Sequence, residues 1–191
     1  MSQQEPSSLD QLSALSKHAR HVTFPATITS TDWPWIEQIS SRVGIEYEPW
    51  QKELGALITG LDENGLYASS IDGATISVCR QAGKTFLVSG ICVSLALVRP
   101  KTLILWTAHH NATSAETFRH VSGVTSSPRI QRFMARPSRS PGRESINFRN
   151  GSRIKFGARS HGFGRGIPGV DVIVFDEAQI LKQQDIDAML P

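Results

Sequence analysis

Apolar and polar positions change rhythm several times along the chain. From Asp32 the apolar residues Trp33, Ile36, Ile39 and Val43 recur every three or four positions, the spacing of one helix face. Thr31 or Asp32 can cap that helix, Pro34 is tolerated in its first turn, and Gly44 ends it. A second helix is predicted from Pro49, with Trp50, Leu54, Leu57, Ile58 and Leu61 on one face. After the Glu63-Asn64-Gly65 turn the pattern shifts to alternating strand-like and helical segments. Residues 74–79 (ATISVC) read as a strand, 85–98 as an apolar helix, 102–107 (TLILWT) as a second strand, and 111–121 as another helix. Residues 146–148 and 154–156 flank Asn150-Gly151, the strongest short hairpin signal. Residues 170–175 (VDVIVF) form a nearly continuous apolar strand, the pattern of a central strand covered on both faces. Strands alternating with helices predict an α/β fold: a parallel sheet flanked by helices, with a helical N-terminal extension and a small β-hairpin.

The flanks of this pattern are polar. Residues 1–30 are rich in Ser, Gln, Thr and Pro and are expected to form a flexible arm, although Leu9, Leu12, Leu15 and Ala19 could mark a short amphipathic helix. The Arg-, Pro- and Ser-rich residues 128–142 read as a solvent-exposed loop or short helix. Residues 31–191 are then one domain, or most of one.

Composition narrows the classes. With 191 residues, 39% hydrophobic and 19% charged, the chain can bury a real core and is neither wholly disordered nor fibrous. Two cysteines, Cys79 and Cys92, exclude a disulfide framework or a Cys-rich zinc site, and both thiols are expected to be buried. The longest apolar stretch, 86–98, is interrupted by Ser89, Gly90 and Ser94 and is too short to span a bilayer. The N-terminus shows no basic segment followed by an apolar core, so the expectation is a cytoplasmic protein without a membrane partner. The net charge of +3 is unevenly spread: between Arg129 and Arg165 stand ten basic residues, nine of them Arg, and one acid, Glu144. Guanidinium groups can fork onto phosphate, which makes Arg132, Arg136, Arg139 and Arg143 candidate DNA contacts; a solvated basic face is the equal alternative.

The candidate chemistry lies in two places. Residues 80–85 (Arg80, Gln81, Ala82, Gly83, Lys84, Thr85) join the 74–79 strand to the apolar helix. In such a strand–loop–helix arrangement the loop N–H groups and the helix N-terminus favour an anion. Lys84 would reach the β- and γ-phosphates of ATP, and Thr85 would offer its hydroxyl to magnesium. The usual P-loop pattern also has a glycine five positions before Gly83, where this chain has Val78. The apolar 172–175 strand then runs into Asp176-Glu177-Ala178-Gln179. Acids there sit at the carboxyl edge, where open α/β sheets bind ligands. Asp176 can hold magnesium, and Glu177 can orient and deprotonate a water for attack on the γ-phosphate. Taken together, the motifs point to an ATPase.

These residues carry a family resemblance. The CRQAGKT loop, with Val in place of its first glycine, and DEAQ after an apolar strand resemble the large terminase subunit of tailed bacteriophages. Glu48-Pro49-Trp50-Gln51 resembles that family's adenine-contacting segment, which implies Gln51 as the base-reading residue. Trp106-Thr107-Ala108-His109 resembles a motor motif near DNA, and the segment from Gly164 to Asp171 matches another frequent stretch. The resemblance spans residues 45–190. It implies an ATP- and magnesium-dependent motor that drives double-stranded DNA into procapsids. It also implies a homo-oligomeric ring on the capsid portal, a small terminase subunit as partner, and a location in the bacterial host cytoplasm and at the procapsid vertex. Arg80 becomes a candidate arginine finger, with a plain salt bridge as the alternative. The family's coupling motif and nuclease domain normally follow the paired acids, so the resemblance implies a truncated or split-gene fragment: an incomplete P-loop NTPase-like sheet and a partial ATPase domain over residues 31–191, without nuclease activity.

Other readings stand beside this one. A helicase-like translocase shares the loop and the paired acids, but usually continues DEAD or DEAH where this chain has Gln179. An inert nucleic-acid-binding module would use the basic segment alone. The string Gly164-x-Gly166-x-x-Gly169 precedes a strand instead of following one, which rules out a dinucleotide loop. His109, His110, His120 and His161 lack metal-ligand spacing with acids or cysteines and are expected to be surface or DNA-facing, and Trp33, Trp35 and Trp50 are expected to pack the N-terminal helices.

Overall fold

The computed structural model describes residues 15, 19–79, 81–138, 140, 144–187 and 189. Contacts divide the chain into two compact units, with the boundary after Leu87.

The first unit is built on two helices. Helix α1, Trp33–Arg42, starts at Asp32, and the Thr31 hydroxyl accepts the Trp33 N–H at 3.1 Å. It stops where Gly44 turns to φ +86. Helix α2, Pro49–Ile58, is opened by a reciprocal cap: the Glu48 carboxylate accepts the Gln51 N–H, and Gln51 Oε1 accepts the Glu48 N–H at 2.9 Å. The face that α2 buries carries Gln51 and Gly55; the predicted stripe through Trp50, Leu54, Leu57 and Ile58 is only half-buried. The reason is steric. A Cβ on Gly55 would lie 2.1 Å from Trp33 Cζ3, so the helix turns its one glycine toward the indole and lets ring meet backbone. Tyr47 packs against Trp33 at 5.0 Å and Phe86 at 6.0 Å, and its hydroxyl meets Ser40 Oγ at 2.9 Å.

Two-residue strands β1 (Ser30–Thr31) and β2 (Gly60–Leu61) pair antiparallel, too short for any periodicity to announce. The turn after β2 is organised by Asp62, whose Oδ1 accepts the Asn64 and Leu66 N–H groups, each at 2.9 Å. The Leu66 N–H above all holds the Asp62 carboxyl below its ordinary range. Helix α3, Ser69–Asp72, follows. Of the proposed arm helix, Leu15 is buried and donates its N–H to the Glu53 carboxylate, while Leu9 and Leu12 lie outside the described residues.

Residues 74–79 do not form the predicted strand. They belong to no sheet and are exposed except for half-buried Ile76. β-branched composition favours a strand only through cross-strand neighbours, and this segment has none among the described residues. Cys79 is accordingly exposed, contrary to the expectation of a buried thiol. Helix α4, Lys84–Val98, begins in this unit and runs into the second.

The second unit holds a four-stranded sheet of β3 (Leu103–Ala108), β4 (Ser145–Asn147), β5 (Arg153–Ala158) and β6 (Val172–Phe175), in spatial order β4-β5-β3-β6. The β3 strand is parallel to both β5 and β6, while β4 and β5 form the predicted antiparallel hairpin, with Gly151 at φ +87. Every residue of β3 is buried. Trp106 stacks on Phe156 at 6.1 Å, and Phe118 of α5 (Asn111–Thr125) meets Phe156 edge-on at 5.5 Å. After α5, the short helix α6 (Pro128–Gln131) seats Ile130, which is fully buried. Asn150 donates to the Ala96 and Leu97 carbonyls at 2.8 and 3.2 Å, closing the last turn of α4 from the hairpin. Asp171 opens β6 by exchanging bonds with Leu103: its N–H donates to the Leu103 carbonyl, and its carboxylate accepts the Leu103 N–H. The apolar β6 is not the doubly covered central strand its composition predicts. It is half-buried throughout and pairs only with β3, so its outer side carries no strand among the described residues. Helix α7, Gln183–Asp187, lies near the end, and no helix among the described residues is long and apolar enough to cross a membrane.

The two thiols should react differently. Burial pushes Cys92 up to about 12, leaving roughly one thiolate in ten thousand at pH 8, whereas Cys79 is open to solvent. A disulfide reagent at pH 8 is expected to label one equivalent per native chain, at Cys79, and two after denaturation; peptide mapping checks the site.

Candidate functional site

The loop half of the candidate site lies in the first unit. Gln81 at φ +62 and Gly83 at φ +94 both have positive φ, a backbone conformation that occurs in turns whose N–H groups bind anions. The first bond of α4 runs from the Leu87 N–H to the Gly83 carbonyl at 3.0 Å. The amides before Leu87 thus form the N-terminus of a fifteen-residue helix and present its positive end. Lys84 and Thr85 are half-buried in that first turn.

Gln51 is tied to the same loop. Its side chain is 3% exposed, and Nε2 donates to the Gly83 carbonyl at 3.1 Å. A Cβ on Gly83 would stand 2.7 Å from that nitrogen, so both the φ and the close approach require glycine. Gln51 therefore joins the start of α2 to the loop, with its amide engaged at both ends. The Trp50 ring lies 3.9 Å from the same Cβ position. Arg80 lies outside the described residues.

The acid half lies in the second unit, at the carboxyl ends of parallel strands. Because β3, β5 and β6 run the same way, the residues just past them share one edge: His109, Arg159 and Asp176. The Asp176 N–H donates to the Thr107 carbonyl at 2.8 Å. Its carboxylate accepts the Thr117 hydroxyl at 3.2 Å through Oδ2 and the Glu177 N–H at 3.0 Å through Oδ1. Glu177 is half-buried, with φ 52 and ψ 48, a left-handed conformation that costs a non-glycine residue about 1–2 kcal/mol. One nitrogen of His109, Nδ1, is buried without a hydrogen-bond partner among the described residues, and its ring meets that of His110 at 4.3 Å.

Two residues at this edge have no sequence signal of their own. Thr117 lies mid-helix in α5, where neither motif nor spacing marks it. Arg159 is counted in the basic block, yet it is 3% exposed. Its Nη1 donates to the Thr107 carbonyl at 2.9 Å and hydroxyl at 3.0 Å, and its Nη2 to the Asp176 carbonyl at 2.9 Å. The basic block thus contains an internal strut as well as a surface. Of the proposed DNA contacts, Arg132 and Arg136 are exposed, and Arg132 lies over the Phe133 ring at 4.7 Å. Arg139 and Arg143 lie outside the described residues.

The mainly parallel sheet, with paired acids at its carboxyl edge, places the chain in the class of open α/β sheets. Residues 75–190 match the model of a family described as terminase large subunit, T4likevirus-type, N-terminal, and the chain belongs to that family. In fold it is similar to the HK97 bacteriophage large terminase, with a TM-score of 0.64 at 17% sequence identity over 83% of this chain. The chain spans 34% of the length of that structure. No curated protein matches it.

Proposed function

We propose that this chain is the ATP-binding and ATP-hydrolysing motor portion of a phage terminase large subunit, the subunit that drives double-stranded DNA into procapsids. The observation that carries the reading is the Asp176–Glu177 pair at the carboxyl edge of parallel strands, in a chain of terminase membership.

The residues present suit ATP and magnesium. A positive-φ loop at a helix N-terminus favours an anion, and Lys84 adds an ammonium to it. Magnesium prefers one or two carboxylates plus substrate oxygens over a closed protein cage. In this reading Asp176 would supply the carboxylate and Thr85 the hydroxyl of such a partial set. When bound, the metal would offset charge on the transferring phosphoryl group. In this reading Lys84 would bind the phosphates, Asp176 and Thr85 would hold the metal, and Glu177 would take the proton of the attacking water. Arg80 is proposed as the arginine finger. Arg132, Arg136, Arg139 and Arg143 are proposed to meet the DNA backbone. A ring on the portal and a small terminase subunit complete the proposed assembly, working in the host cytoplasm and at the procapsid vertex.

Binding tests this directly. Trp50 stands beside the loop, so its fluorescence should report titration with magnesium-ATP, and bound nucleotide should slow labelling of Cys79. Lys84→Ala is expected to weaken binding at least about tenfold, the loss of one charge-assisted contact or more. Equal affinity of wild type and Lys84→Ala would refute the assignment.

A further inference from the structure

We propose that Arg159 is a positioning residue that clamps the Asp176–Glu177 peptide at the carboxyl edge of the sheet; the inference rests on the ATPase reading of that edge and deepens it. The peptide between the two acids consists of the Asp176 carbonyl and the Glu177 N–H. Arg159 Nη2 holds the carbonyl at 2.9 Å, and Asp176 Oδ1 holds the N–H at 3.0 Å. Both ends of the unit that aims the Glu177 side chain are therefore fixed. The other arm of the guanidinium, Nη1, grips the Thr107 carbonyl and hydroxyl on β3. That same carbonyl accepts the Asp176 N–H at 2.8 Å, and the Thr107 hydroxyl donates to the Val174 carbonyl at 3.1 Å. One planar cation thus ties the ends of β3, β5 and β6 into a closed hydrogen-bond circuit.

Three features make this more than packing. Bonds from an ionised donor are roughly twice as strong as neutral ones and keep their direction when water is excluded. Glu177 occupies a left-handed conformation, which persists only where surroundings over-determine it, and the clamp acts on the peptide immediately before it. Burying a guanidinium is costly unless its hydrogen bonds are met, so a plain strand end would be served better by an apolar side chain. A lysine has a single point of attachment and cannot span both carbonyls as the fork does.

The test uses the full chain with Arg159→Met, Arg159→Lys and the milder Thr107→Val. Hydrogen exchange followed by mass spectrometry reads the clamp without requiring turnover. Arg159→Met is expected to speed exchange over residues 176–178 at least about tenfold while β3 stays protected, a local opening. Thr107→Val, which keeps the charge, should give a smaller change at the same residues, and it decides the matter if Arg159→Met does not fold. Under saturating magnesium-ATP, kcat should fall about tenfold or more in Arg159→Met with KM within about twofold, and Arg159→Lys should recover only part of it. Unchanged exchange over 176–178, or an equal rise across β3, β5 and β6, would overturn the clamp; faster exchange with normal kcat would overturn its link to the acids. A wild type that fails to bind magnesium-ATP would sink the ATPase reading instead, and the exchange comparison would still decide the clamp.

Discussion

Glu177→Gln is expected to bind magnesium-ATP as tightly as the wild type and to release phosphate at least about a hundredfold more slowly, the scale of a lost general base. The substitution keeps the shape of the side chain and removes its basicity alone. It also leaves the backbone restraints in place, because Asp176 Oδ1 holds the Glu177 N–H and not its carboxylate. Equilibrium titration read beside single-turnover phosphate release separates the two effects. Turnover at the wild-type rate would remove Glu177 from the chemistry, and weakened binding would recast it as a ligand.

The largest loss of stability is expected from Phe156→Ala. Phe156 is fully buried on β5, stacked on Trp106 and met edge-on by Phe118, so it joins sheet to α5. Truncating a buried Phe costs about 3–5 kcal/mol, and these ring contacts place this site toward the upper end. For a domain stabilised by about 5–15 kcal/mol, that is a major fraction and corresponds to a fall in melting temperature on the order of 10 °C. Thermal or urea unfolding measures it. A shift within error would mean the core repacks around the void.

Local chemistry made much of this fold legible in the chain. The 102–107 run and the Asn150-Gly151 turn carry their structure in their own residues, and β3 and the hairpin appear within a residue or two of expectation. Family membership was likewise readable from the paired acids and the loop, each short and informative only in combination. What escaped depended on partners distant in sequence. Residues 74–79 have strand composition and no ladder, because composition cannot supply a neighbour. The inward face of α2 was misjudged because Gly55, not a leucine, meets Trp33. Arg159 looked like one more surface charge, since nothing in its immediate neighbours reveals that Thr107 and Asp176 converge on it from 52 and 17 positions away.

The bond from Asn150 to the end of α4 has a consequence for how this chain can vary. The same residue shapes the hairpin bend and terminates a helix fifty-odd positions earlier. Lengthening or shortening that bend would withdraw the amide from the Ala96 and Leu97 carbonyls, so a loop change usually tolerated at a surface would here unravel a helix end. Insertions and deletions should be purged at this turn even though Gly151 itself is exposed.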